Sequence, residues 1–361
     1  MSERFDVAVI GSGAAGIAAA TSAARAGAAT LLFDSRAAAG GTGGWSGLTT
    51  LCGLYDDAGR YLNDGFPREF ADAVAESVPV KMGRVWVLPY RPLRFREIAA
   101  RFLAPVTAKW STPLADVVVD ANRIVRLNGI DVGAVIDCTG TAEVARLIGA
   151  ECLETDETTQ APAVIFPLHG VTRDLSSAAA VAQVVLAVTR AGLPPLTFQP
   201  GAVVKFTGRP EQVPALVEFL RTRVSGFERC GTSLSEFTLA RRAGRMIVGR
   251  YVLTGMDVLS ARKFPDAVAR CAWPIEQWSA NGVARFRYLP DGEHYEIPAR
   301  ALQAATIKNL FMAGKTISAD VDAIGSARVM GCCLATGAAA GNLACRMLGL
   351  CGNLKTTEEK L

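Results

Sequence analysis

The stretch FDVAVIGSGAAGIAAATSAARAGAATLLFDS, residues 5–35, decides the fold. Residues 6–10 are short, apolar and rich in β-branched side chains, which predicts a buried strand. Gly11-Ser12-Gly13-Ala14-Ala15-Gly16 then breaks that strand, and an alanine-rich segment over 14–26 predicts a helix that stops at Gly27. A second apolar run, Thr30–Phe33, ends at Asp34 and Ser35. The unit is therefore strand, turn, helix, strand. Gly11 permits the tight turn, Gly13 leaves room for a pyrophosphate, and Gly16 lets the helix lie close on the strand. Ala14 and Ala15, in the first helical turn, offer free N–H groups and the positive end of the helix dipole to a diphosphate. Asp34 suits the hydroxyls of an adenosine ribose. The pattern predicts a dinucleotide site and does not separate NAD from FAD.

At 361 residues the chain has ample length for one large or two modest domains, and half of it is hydrophobic. The net charge of +4 is small, and no basic run interleaves with aromatics, which argues against nucleic acid as a partner. Glu3 and Asp6 stand where a signal peptide carries positive charge, and no run of about 18 apolar residues predicts an integral membrane segment. Nine cysteines without a CxxC spacing predict neither a disulfide framework nor a metal site. The cytoplasm is the expected address.

Beyond the opening unit, a glycine-rich loop is expected over 37–47, with helices over 67–76 and 93–103. Strands are expected over 114–119, 123–127 and 132–138, the last ending in Thr139-Gly140-Thr141. The middle of the chain reads differently. Strands over 163–168 and 202–207 alternate with helices over 175–190, 211–224 and 235–249. A strand over 305–313 leads to Gly314 and a long small-residue helix over 326–348. The expected fold is α/β, a Rossmann-like nucleotide-binding domain on a parallel sheet with an inserted α+β substrate domain. Residues 1–155 and 299–350 form the first, 156–298 the insert, and 351–361 a flexible tail.

Two further clusters bear on which nucleotide is held. Gly40-Gly41-Thr42-Gly43-Gly44 follows the acid-terminated second strand, where an NAD site needs no glycine-dense segment but the longer flavin dinucleotide does. FMAGKTISADVDAIGSARVMGCCLATGAAAGNLA, near the C-terminus, places a strand end, Gly314 and a helix start together. A helix N-terminus there would favour the negative charge that a reduced flavin carries.

With IDCTGTAE, TQAPAVIFPLHGV, RRAGRMIVGRYVLTGMDVLSARKFPDAVAR and YEIPARAL in order, the chain resembles FAD-dependent oxidoreductases with a glutathione-reductase-like FAD domain. The resemblance is to the subfamily with a GSxRVM C-terminal helix and covers most of the sequence. It implies FAD, with the pyrophosphate at Gly11, Gly13 and Gly16 and the ribose at Asp34. It implies Gly41, Thr42 and Gly43 beside the ribitol and ring, Leu114 at the adenine, and Thr139 and Gly140 closing over the dinucleotide. Gly314 and Lys315 would approach pyrophosphate and ribitol. Ser326, Ala327, Arg328, Val329 and Met330 would meet the pyrimidine edge. Lys315 departs from the acid that many relatives carry after this glycine.

For the chemistry, His294 and Tyr295 lie at a predicted domain junction and are candidates for proton transfer. Arg328 could balance reduced flavin or bind a substrate carboxylate, or else pair with Asp320 or Asp322. The adjacent Cys332 and Cys333 read as buried packing residues rather than a redox pair. The expected reaction is two-electron oxidation, as a dehydrogenase or oxidase, of a small amine, amino acid or hydroxy acid. Oxygen, a quinone or an electron-acceptor protein would take the electrons, and the chain could act as an oligomer. The alternatives are an NAD(P)H-using flavin monooxygenase or reductase, and an FAD-holding subunit of a dehydrogenase complex. No second GxGxxG is present to hold NAD(P)H.

Overall fold

The opening unit folds as its sequence predicts: strand Arg4–Ile10, helix Ala14–Arg25, strand Thr30–Phe33. The computed structural model describes residues 3–199, 202–279 and 284–350, so the expected tail 351–361 lies outside the described residues. A seven-stranded sheet grows from this unit in the order Thr107–Lys109, Thr30–Phe33, Arg4–Ile10, Ile130–Asp137, Arg123–Leu127, Val117–Asp120, with Leu310–Met312 also paired to Ile130–Asp137. The pairings along Thr107–Lys109, Thr30–Phe33, Arg4–Ile10, Ile130–Asp137 and Leu310–Met312 are parallel; the meander 117–137 is antiparallel. Both faces are covered, which is why the strands read as apolar runs rather than alternating ones. Val7 and Val9 enter the core on one face, Ala8 and Ile10 the core on the other. Each buried valine or isoleucine here contributes about 1.5–3 kcal/mol relative to exposure.

A second, four-stranded antiparallel sheet runs Leu196–Gln199, Val203–Thr207, Ala163–Pro167, Thr238–Ala240. Alternation gives it two unlike faces. Val164, Phe166, Val204 and Phe206 pack into a core with the helices Ala178–Arg190 and Val213–Arg223. Ala163, Ile165 and Ala240 cluster on the other side with Leu48 and Val203. That side docks on the chain following the glycine-rich segment: Thr238 Oγ1 donates to Ser46 O (2.7 Å), and Thr49 N–H donates to Gln199 Oε1 (2.7 Å).

Several sequence expectations change in three dimensions. Residues 235–249 are not a helix; they form a short 3-10 turn and the strands Thr238–Ala240 and Gly244–Ile247, because Ala163–Pro167 and Cys152–Thr155 offer them partners. The glycine-rich segment is not a loop throughout, since Gly41–Trp45 is one helical turn and a half. The long C-terminal helix is two, Val321–Ala327 and Met330–Met347, bent by 95° at Arg328–Val329. Residues between Met246 and Ile297 contribute to the same core as Val7, Ile17 and Ile136, whereas the separate core under the second sheet runs from Val164 to Cys230. Among the described residues no single helix is long and apolar enough to cross a membrane.

Candidate active site

The parallel register brings four strand ends to one edge of the sheet. Ile10 lies opposite Phe33 and Asp137, and Asp137 opposite Met312. Gly11, Asp34, Cys138 and Ala313 therefore leave the sheet at the same level, at its carboxyl edge, where open α/β sheets take ligands. A cleft of about 630 Å³ starts there and runs under the second sheet. Gly11, Gly13, Ala14, Ala15, Asp34, Ser35 and Leu114 line one end. Gly41, Thr42, Gly43, Thr139, Gly140, Gly314, Lys315, Arg328, Val329 and Met330 line its length.

The glycines divide into packing and cradle positions. A Cβ on Gly16 would sit 1.7 Å from Gly11 O, so Gly16 sets helix-to-turn distance and does not line the cleft. A Cβ on Gly13 would meet only Gly41 Cα, at 3.9 Å, so open space lies above the start of helix Ala14–Arg25. No side chain caps that helix start. Its first amides stay available to an anion. Ser12 N–H and Oγ donate to Asp34 Oδ2 (2.7 and 2.5 Å), and Arg36 N–H donates to Oδ1 (2.8 Å). A carboxylate has about four lone-pair sites. Three are occupied, which leaves Asp34 able to take one more donor rather than both ribose hydroxyls. Gly43 and Gly44 give room to Phe95 and Arg96 beneath them.

Asp137 carries no role in the sequence reading, yet it organises the turn at Thr139. Its buried carboxylate accepts from Thr139 N–H (3.0 Å), Thr139 Oγ1 (2.7 Å) and Val144 N–H (3.0 Å). Burial pushes its pKa up to about 6 in spite of those bonds. The folded protein then holds this proton more tightly than the unfolded chain, so the group's contribution to stability falls as pH rises from about 4 to 6 and is level above. Asp137→Asn removes that slope. The difference in melting temperature, variant minus wild type on FAD-loaded protein, is expected to be more positive at pH 7 than at pH 4.5. A constant difference would contradict the assignment.

The inner end of the cleft is ionic. Lys205 reaches it from Val203–Thr207, on the face of the second sheet that carries Val203 and not Phe206. Arg242 donates to Ala161 O (2.6 Å) and stands 4.6 Å over the Trp278 ring. Glu276 accepts from the indole N–H groups of Trp273 and Trp278. Arg328, at the corner between the two C-terminal helices, donates to Gln160 Oε1 (3.2 Å) and Glu276 O (3.3 Å), while its Nε is buried without a partner. Burial lowers the pKa of Lys205 and brings Arg242 down to about 9, each helped by a neighbouring arginine. Burial pushes Glu276 upward, but Arg328, Lys205 and the Trp273 hydrogen bond together take it below the usual carboxylate value. Lys205, Arg242 and Glu276 escaped the sequence reading. Lys205 and Glu276 carry one local signal, a charge inside an apolar strand, as in VVKFT and WPIEQW, and Arg242, between two strands, carries none.

Other predicted residues lie elsewhere. His294 and Tyr295 do not line the cleft. His294 is half-buried, its carbonyl accepting from Lys263 Nζ, and Tyr295 is fully buried with its O–H donating to Ser326 Oγ (2.8 Å). Ser326 in turn donates to Trp273 O (2.6 Å), so Ser326 and Ala327 are core residues of the shorter C-terminal helix, behind the cleft wall. Neither acid proposed for Arg328 pairs with it: Asp320 caps that helix and Asp322 binds Arg287. Lys315 Nζ spans the cleft to Arg241 O and Ala243 O (3.1 and 3.3 Å), and burial lowers its pKa to about 8. Among the described residues Cys271 and Cys332 form a disulfide, which joins residues 61 apart that no spacing rule connects. Cys333 is free, and burial raises its pKa to about 12.

The model of the family described as FAD dependent oxidoreductase matches residues 6–202 and 200–349. No curated protein matches the sequence significantly. Among solved structures, GidA from Aquifex aeolicus is similar over 96% of this chain and 66% of its own, at 15% identity and TM-score 0.55. OxyS anhydrotetracycline hydroxylase from Streptomyces rimosus is similar over 96% and 63%, at 14% identity and TM-score 0.53. A geranylgeranyl bacteriochlorophyll reductase-like protein from Thermoplasma acidophilum is similar over 96% and 79%, at 13% identity and TM-score 0.51. The chain thus spans about two thirds of the first two structures, and the likeness to all three is one of fold.

Proposed function

This chain belongs to the FAD-dependent oxidoreductase family and is an enzyme with FAD as cofactor, and from that premise we propose that it is a dehydrogenase or oxidase of a small organic substrate such as an amine, amino acid or hydroxy acid. One observation carries the reading. A single cleft joins a dinucleotide cradle, with open space over Gly13 and an uncapped helix start, to a buried group of ionisable side chains beneath the second sheet. FAD, when bound, supplies a two-electron acceptor for hydride. The residues fit it. Gly11, Gly13, Ala14 and Ala15 would hold the pyrophosphate, Asp34 the ribose, Leu114 the adenine, and Gly41–Gly43, Thr139, Gly140, Gly314 and Lys315 the middle of the molecule. Arg328, Val329 and Met330 would meet the ring. The second sheet, through Ala163, Lys205 and Ala240, covers the inner end, excludes water and positions the substrate. Electrons would then pass to oxygen, a quinone or a partner protein, in the cytoplasm.

The test is anaerobic reduction of the purified yellow protein. Bleaching by one class of a panel of amines, amino acids and hydroxy acids, with none by NADPH, is the expected result. Bleaching by NADPH alone would replace the reading with a reductase or monooxygenase. No bleaching together with a co-purifying partner would replace it with an FAD-holding subunit. Release of free FAD on acid denaturation checks the cofactor independently of turnover.

A further inference from the structure

The inner end of the cleft holds more positive charge than the protein itself neutralises. Lys205, Arg242 and Arg328 all line it, against one carboxylate, Glu276. The two guanidinium groups bond neutral oxygens, of Ala161 and Thr207 for Arg242 and of Gln160 and Glu276 (its backbone) for Arg328. Among the described residues no hydrogen bond or ion pair reaches Lys205 Nζ, and Arg328 Nε is buried with no acceptor. Both Glu276 oxygens are engaged by tryptophan N–H groups. Charges in a half-enclosed, low-dielectric site are costly unless paired. A folded chain that keeps two excess cations here keeps them for an anion.

We infer that the inner end is a carboxylate subsite, in which Lys205 Nζ receives the carboxylate of the substrate while the guanidinium groups of Arg328 and of Arg242, stacked on Trp278, add to the positive field. The inference rests on the proposed oxidation and narrows its substrate to acids: an amino acid or hydroxy acid enters, and a plain amine, carrying only positive charge, is repelled. Glu276 faces the substrate's other polar group, where an ammonium or hydroxyl finds an acceptor. The dinucleotide's own phosphates have a separate cradle at the uncapped helix start beside Gly13, built on other elements than those that carry Lys205, Arg242 and Glu276. The lysine and Arg242 come from the second sheet and its flank, Glu276 from the strand Ile275–Trp278. Burial already strains the lysine's charge, lowering its pKa, and a bound carboxylate relieves that strain.

The experiment uses oxidised, FAD-loaded enzyme and no turnover. Acetate, succinate and benzoate are titrated against acetamide, succinamide and benzamide, following the flavin absorption spectrum and the melting temperature. The acids are expected to give saturable shifts and the amides none. Lys205→Met is expected to weaken acid binding about tenfold or more, the range of a lost charge-assisted hydrogen bond, with FAD content unchanged. Glu276→Gln is expected to tighten it several-fold, a sign that a merely structural role would not produce. FAD-loaded protein whose spectrum and stability no acid moves, or Lys205→Met binding acids as wild type does, overturns this inference alone. A chain that holds no FAD overturns the reading beneath it.

Discussion

Gly41→Ala is expected to weaken FAD binding about 100-fold or more, about 3 kcal/mol, while the protein still folds. Gly41 has φ +48°, and a Cβ there would stand 2.6 Å from Gly13 Cα and 3.3 Å from Gly13 N. A left-handed backbone costs an alanine about 1 kcal/mol or more. The larger cost is displacement. Gly40 N–H donates to Ser12 O (2.9 Å), so the two glycine segments are tied across the narrowest part of the cradle. Neither backbone can yield without opening the turn proposed to hold the pyrophosphate. Gly65→Ala is the control: its φ is +70°, but nothing lies within 4 Å of its Cβ. It should lose about 1–3 kcal/mol of stability, because its ψ of −137° lies where alanine is strained, and no FAD affinity. Fluorescence titration of apoprotein with FAD reads both. Wild-type affinity in Gly41→Ala would remove the segment from the cradle.

Gly337→Ala is expected to destabilise the protein by about 3 kcal/mol or more, although alanine is the better helix former by about 1 kcal/mol. The clash wins because it is with backbone. The new Cβ would lie 2.2 Å from Ala15 O, and one on Gly341 would lie 2.5 Å from Ala19 O. Helix Met330–Met347 rests on helix Ala14–Arg25 through residues with almost no side chain, and larger ones must part the two. Parting them moves the Ala15 amide, so FAD binding should loosen as well. A urea unfolding midpoint at or above that of wild type would show that the helices do not meet at Gly337.

The contrast between these two glycines and the ionic cluster explains which parts of the molecule were legible in the chain. Strand Arg4–Ile10, helix Ala14–Arg25 and strand Thr30–Phe33 were readable because each rests on local terms: apolar periodicity, alanine propensity, and glycine where no Cβ fits. Asp34 and the second glycine cluster were readable by their place after those elements. Residues 235–249 were misread because strand pairing with Ala163–Pro167 and Cys152–Thr155 is a tertiary gain that outweighs a helix-like pattern. His294 and Tyr295 fall at an expected domain junction in the sequence, but neither lines the cleft, and a buried bond to Ser326 turns Tyr295 into the core.

By itself, then, the sequence determined the nucleotide end of this protein: an α/β layer, its glycine turns and its flavin. The glycine turns depend on interactions within about 30 neighbouring residues, and the flavin on further glycine clusters near Gly41 and Gly314 that follow in order along the chain. The ionic end of the cleft, by contrast, is assembled only in three dimensions. Lys205, Arg242, Glu276 and Arg328 sit on different segments of the chain, and no local pattern joins them. They meet because alternation along the second sheet turns Lys205 to the cleft, a 95° break sets Arg328 at a helix corner, and paired tryptophans hold Glu276 between them. Charge acquires its meaning there from burial and from the company it keeps, which the fold supplies.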